Sequence, residues 1–168
     1  MATATTLQSL NTDADFGGVS AIDASNRRVI EFFVAGETLT PGDCVSLNLA
    51  ATADSDKGLI VVKGDTGTAT DTCVVGVVLR DVDSTGTVTN FASGAAVPVV
   101  VRGLVFANVN GATAAGSRLI VGSTAGQLAI AVDINEGGAA TVAQRPIVAI
   151  AAEADTSNIA RVYVLANF

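Results

Sequence analysis

The sequence predicts an all-β fold, a small barrel or sandwich, on three observations. Hydrophobic residues make up 49% of its 168 residues but aromatics only 4%, with Val, Ala, Gly and Thr dominant. Val and Thr carry a branched Cβ that suits a pleated, half-buried surface. Seventeen glycines punctuate the chain, as tight turns between short strands require. Short apolar runs alternate with turn signals at the close spacing of a sandwich or barrel. A chain of this length buries roughly 70% of its unfolded surface, so it needs neither metal nor disulfide to fold.

Residues 1–28 read as an N-terminal arm. Met1-Ala2-Thr3-Ala4-Thr5-Thr6 has little to bury, and Asp13-Ala14-Asp15-Phe16-Gly17-Gly18 is turn-rich. Such segments are ordered by a partner. The body, residues 29–168, starts with the strand Val29-Ile30-Glu31-Phe32-Phe33-Val34-Ala35. Thr40-Pro41-Gly42-Asp43 is a turn in which Pro fixes φ and Gly takes φ > 0. Strands follow at Cys44–Leu49, Leu59–Lys63 and Cys73–Leu79. The last two are continuous apolar runs, so both faces are expected to be buried. Val97–Arg102 and Gly103–Val109 read as two further strands, with Pro98 at a strand start or sheet edge. Leu119–Val121, Gln127–Ala131, Ile147–Ala151 and Ala160–Leu165 complete the series.

A weak internal repeat runs through these strands. Gly42–Leu47 resembles Gly116–Val121, Gly58–Val61 resembles Gly126–Ala129, Val74–Asp81 resembles Ile147–Ala154, and Val99–Arg102 resembles Val162–Leu165. The offsets are 74, 68, 73 and 63, so the order of elements is kept while loop lengths differ.

The charge balance excludes some functions. Net charge is −7 and the basic residues are scattered. Nucleic acid is therefore not an expected partner, since phosphate binding needs clustered Lys and Arg. No apolar run reaches the ~18 residues of a membrane span, so no membrane is expected either. The start, Met1 to Leu10, lacks the basic and apolar regions of a signal peptide, and synthesis in a reducing host cytoplasm is expected. Cys44 and Cys73 each begin or lie within an apolar strand, where a free cysteine acts as a small buried hydrophobe. Both are expected to be reduced and buried.

The chain has no histidine, which removes Ser-His-Asp and Cys-His chemistry and the commonest zinc ligand. Gly111–Arg118 has the outline of a phosphate loop but lacks the Lys-Ser/Thr ending and a following helix. Asp54-Ser55-Asp56-Lys57-Gly58 hints at a calcium loop, yet its glycine is one place early and Asp65 stands where Glu is needed. Asp81-Val82-Asp83 reads as an ordinary solvated loop. No Trp is present and Tyr163 lies alone inside a strand, so no stacking platform for sugars is expected. No catalytic, metal or cofactor-binding residues are assigned. Phe32 and Phe33, adjacent in a strand, point to opposite faces: one can fill the core and the other is available to a subunit interface or to cover by the arm. With Arg27 and Arg28 at the junction of arm and body, they form the candidate partner-contact set.

The order of these phrases resembles the tailed-bacteriophage head decoration, or capsid cement, proteins. It is carried by the Gly42-Asp43-Cys44-Val45 strand, Val75-Gly76-Val77-Val78, Val97–Phe106, Ala114–Val121, Gly126-Gln127-Leu128, Pro146–Ala154 and Ala160–Leu165, across residues 36–168. Ser117 stands where that family usually has Asp, and Ala149 where it usually has Gly. The resemblance implies a small β-barrel or β-tulip-like body and a homotrimer at three-fold positions of a shell. It also implies an arm touching the major capsid protein and a place on the virion surface. The competing expectation is another virion or surface β-module, such as a head-fibre base or tail component.

Overall fold

The computed structural model describes residues 28–50, 58–65, 73–80, 88–131 and 146–165. Nine strands are present: β1 Val29–Ala35, β2 Cys44–Leu47, β3 Ile60–Lys63, β4 Val74–Val78, β5 Ala96–Asn110, β6 Arg118–Val121, β7 Leu128–Ile130, β8 Ala149–Ala151 and β9 Ile159–Val164. The described residues contain no helix, and the fold is all-β as predicted. The arm apart from Arg28 lies outside the described residues, as do the acidic stretches at 51–57 and 81–87.

The strand pairings close two five-stranded rings that share β5. The first runs β1-β3-β2-β4-β5 and returns to β1; the second runs β5-β7-β6-β8-β9 and returns to β5. The first half of β5 belongs to one lobe and the second half to the other. Pairing senses match step for step. β1–β3 and β5–β7 are parallel. The other four pairings of each ring are antiparallel. The weak sequence repeat is therefore a repeat of structure.

Register refines the alignment. Val45 and Leu119 occupy equivalent places, facing Gly76 and Ala149 respectively, so the offsets of 74 and 73 hold. Val78 faces Val99 and Ala151 faces Val162, which keeps the offset of 63. The offset of 68 needs correction. Leu47 faces Val61 and Val121 faces Leu128, so the true offset there is 67. One residue matters, because a single-residue slip turns a strand's core positions outward. The fifth equivalence was not visible in the sequence. Phe33 faces Val97 and Ala107 faces Ala160, which equates β1 with the second half of β5.

Each lobe packs its own inward row. Ala35, Val45, Val61, Val78, Val97 and Val99 belong to the first cluster, with Phe33 against it. Val109, Leu119, Leu128, Ala151, Ala160 and Val162 are their counterparts in the second. Fully burying a Val or Leu is worth about 1.5–3 kcal/mol, so these rows are the main stabilising feature. The two turns entering β2 and β6 are built alike. Asp43 N–H donates to the Thr40 carbonyl and Ser117 N–H to that of Ala114, at 2.9 and 3.0 Å. Gly42 and Gly116 take φ of +94° and +85°, the conformation foreseen for the Thr40–Asp43 turn.

Two strand expectations are corrected. Residues 97–109 were read as two strands, but β5 is continuous over fifteen residues. Gly103, at φ +111°, lets the chain cross between lobes without breaking its pairing. Pro98 was placed at a strand start or edge but lies inside β5, opposite Phe32. Its carbonyl accepts from Leu79 N–H at 2.9 Å, just past the end of β4, so the missing N–H faces the position where that ladder stops. Neither cysteine is in a disulfide, as expected, and Cys44 is buried, but Cys73, which precedes β4 rather than lying within it, is only half-buried.

Candidate docking faces

Outward-facing positions of the two lobes carry the functional information. On β1, Phe33 and Ala35 point inward, so Ile30, Phe32 and Val34 point out. All three are exposed, Phe32 at 72%. Their neighbours on β5 are Val100, Pro98 and Ala96. Ile60 lies beside Val34 on β3. With Val100 buried against the second lobe, the exposed part is an apolar face of Ile30, Phe32, Val34 and Ala96 centred on an uncovered phenylalanine. Phe32 and Phe33 thus point to opposite faces as expected, with Phe33 half-buried against the first core cluster. Of the other candidate contact residues, Arg28 is exposed at the start of the described chain and Arg27 lies outside it.

A second apolar face lies on the other lobe. Tyr163 is flanked across the sheet by Ile150 and Leu104. Ile150 and Tyr163 are each 38% exposed. Beside them the Arg161 guanidinium sits 5.5 Å from the centre of the Phe106 ring, so this phenylalanine is partly covered by a cation. Sequence reading missed this face, because Ile150, Tyr163 and Leu104 are far apart in the chain and meet only through register.

The strongest polar cluster is internal. Asp43 Oδ2 accepts from Thr40 N–H at 2.8 Å, and Asp43 Oδ1 accepts from Asn108 Nδ2 at 2.8 Å. Lys63 Nζ stands 3.8 Å from Asp43 Oδ2. Arg80 donates to the Pro41 carbonyl and to Asn108 Oδ1 at 3.3 and 3.4 Å. Burial pushes the Asp43 carboxyl above its ordinary value of 3.8, against the lowering effect of the Thr40 and Asn108 hydrogen bonds and of Lys63. A raised carboxyl near basic residues is a usual sign of catalysis. Here its partners occupy it, and they come from both lobes, so the cluster is a latch between β2 and β5. Burial likewise pushes the Cys44 thiol up to about 12, helped by the Asp43 charge.

Other chemistry is sparse. Among the described residues no three His, Cys, Asp or Glu side chains gather as a metal site would require, and no helix is long and apolar enough to cross a membrane. A crevice of about 10 Å³ between Val74, Gly76, Val148 and Val164 has room for a single water.

No family model matches the chain, and no curated protein matches it. Among solved structures, it is similar to the head fibre gp8.5 N base of bacteriophage phi29. The TM-score is 0.47 at 10% identity, covering 82% of this chain and 94% of that one.

Proposed function

We propose that this chain is a virion structural protein that binds the outside of an assembled capsid and stabilises the shell. The observation that carries this reading is the pair of apolar faces, one on each lobe, on a closed β body whose best polar cluster is spent internally. Two separate faces suit a protein that must hold more than one neighbour at once. The phrase order shared with the decoration proteins supplies the virion context. In this reading the body faces serve self-association into a homotrimer, and residues 1–28 reach the major capsid protein, with Arg27 and Arg28 meeting carboxylates there. A ligand that binds only the assembled shell stabilises it by mass action, and several arms on one oligomer turn weak contacts into firm attachment.

The test is sedimentation of the purified full chain with assembled empty heads. The protein is expected to pellet with the heads up to a fixed stoichiometry, and not to associate with unassembled shell subunits. Deleting residues 2–26 is expected to weaken pelleting while leaving the β-type circular-dichroism spectrum unchanged. Protein that stays in the supernatant with intact heads contradicts the reading.

A further inference from the structure

The repeat makes a comparison possible inside one chain, because every surface of the first lobe has an equivalent on the second. The first lobe docks onto the second through a defined surface. Cys44, Val77 and Val100 stand side by side across β2, β4 and β5. They point away from their own core and are fully buried, at 0% exposure, within the second lobe's cluster. The turn beside this row completes the contact. The Gly42 carbonyl accepts from Asn108 N–H at 2.8 Å and the Arg80 carbonyl from Phe106 N–H at 3.5 Å. The receiving surface is thus the edge of β5 at Phe106 and Asn108.

The equivalent docking row stands open, and the receiving edge stands open at Phe32, whereas Val34 N–H is taken by the Leu59 carbonyl. The row Cys44, Val77, Val100 corresponds to Arg118, Ile150, Tyr163, with the same cross-strand partners. All three are exposed, Ile150 and Tyr163 at 38%. Gly42 lies 3.1 Å from the Asn108 side chain, measured from a Cβ built on it, whereas Gly116 has nothing within 4 Å. On the receiving side, Phe106 and Asn108 correspond to Phe32 and Val34. β1 pairs with β3 only at Val34 and Ala35. Val34 N–H donates to Leu59 on the β3 side, and Ala35 N–H donates to Ala95 on the other. The period-two pleat therefore aims the Phe32 N–H toward the β3 side. No strand lies beside it there among the described residues. An open edge under an exposed Phe is a template for another chain.

We infer that a second copy of this chain fills both surfaces: the Arg118–Ile150–Tyr163 face of one copy docks on the β1 edge of the next at Phe32, as the first lobe's row docks on the second within a chain, but without a counterpart of the Gly42–Asn108 hydrogen bond. The charges agree. Arg118 takes the place of Cys44, and exposed Glu31 takes the place of Val105, a member of the same buried cluster as Cys44. Two apolar members of one cluster inside the chain are replaced by an Arg and a Glu between chains, an opposite-charge pair that would fix partner and register. The contact is head-to-tail, so it builds a closed ring if the rotation closes. This inference concerns self-association alone and holds whether or not the oligomer binds a capsid.

The experiment is light scattering on the full chain at micromolar concentration, with Phe32→Asp, Tyr163→Asp and an equimolar mixture of the two variants. Wild type is expected to be an oligomer and each variant a monomer with an unchanged β-type circular-dichroism spectrum. The mixture is expected to give dimers, because one variant keeps the Tyr163 face and the other keeps the β1 edge. Glu31→Arg and Arg118→Glu are each expected to weaken association, and their combination to restore it. A monomeric wild type, variants with wild-type mass, or a mixture that stays monomeric overturns the inference. Variants with wild-type mass would leave the β1 face to the chain's own residues 1–27 or to a different protein.

Discussion

Two buried side chains at the lobe junction, Cys44 and Asp43, set the residue-scale behaviour, with half-buried Cys73 as the contrast. Cys44 is fully buried with its thiol pushed up to about 12, while Cys73 is half-buried. Only the thiolate reacts, so alkylation of the native protein near pH 8 is expected to label Cys73 and spare Cys44 until denaturant is added. Mass spectrometry of the labelled peptides checks this, and equal labelling contradicts it. Asp43 titrates in the reverse sense to a salt-bridged carboxylate. Its folded value lies above 3.8, chiefly through burial, so the unfolded chain gives up the proton more readily. The stabilising difference is fully present below the unfolded value and is lost as pH rises through the folded one. Wild-type stability relative to Asp43→Asn is therefore expected to fall as pH rises through the window that opens at 3.8, read from urea midpoints at several pH values. A flat or rising difference contradicts that sign. The burial of Cys44 was legible in the sequence, but the Asp43 latch was not, because it joins Asp43 to Asn108 across 65 positions.

Elements were more readable than their limits. The glycine-turn grammar at Gly42 and Gly116 announced two equivalent strands, β2 and β6, and the structure keeps their offset. The alignment slips at β3 and β7 when Gly58 is matched to Gly126, because Val61 follows its glycine by three residues and Leu128 by two. Only register shows that Val61 corresponds to Leu128. β5 was split at Gly103 because a glycine inside an apolar run signals a turn as readily as a bend. The apolar runs predict burial on both faces for β3 and β4; this holds for β4 but not for β3, where only Val61 is buried and the preceding Leu59 is exposed. The partner of β4 on its outer face was not foreseen, since that partner is the second lobe. Gly76 shows how close this packing is. A Cβ there would overlap the Val100 carbonyl and come within 3.1 Å of Val101 Cα, and strand backbone cannot yield without loss of the β4–β5 ladder. Gly76→Ala is expected to cost about 1–3 kcal/mol or more, as overpacking does, whereas its counterpart Ala149 already carries a Cβ. A melting temperature within a degree or so of wild type would contradict the contact.

For the whole molecule, a two-lobed body has one lobe docked on its sibling and the matching surfaces open at both ends. The Phe32 face was half legible, since adjacent Phe32 and Phe33 in one strand must part. The Tyr163 face was not legible, because it is assembled from three strands. The proposed role joins open faces of this kind to an arm proposed to reach the shell, and its stabilising part is the most exposed to test. The direct measurement is the temperature at which empty heads lose their shell, followed by light scattering as the full chain is titrated in. The account predicts that this temperature rises with protein concentration and then levels off as the sites fill. A disruption temperature that stays constant across the titration, with heads and protein both intact, would contradict the capsid-stabilising role.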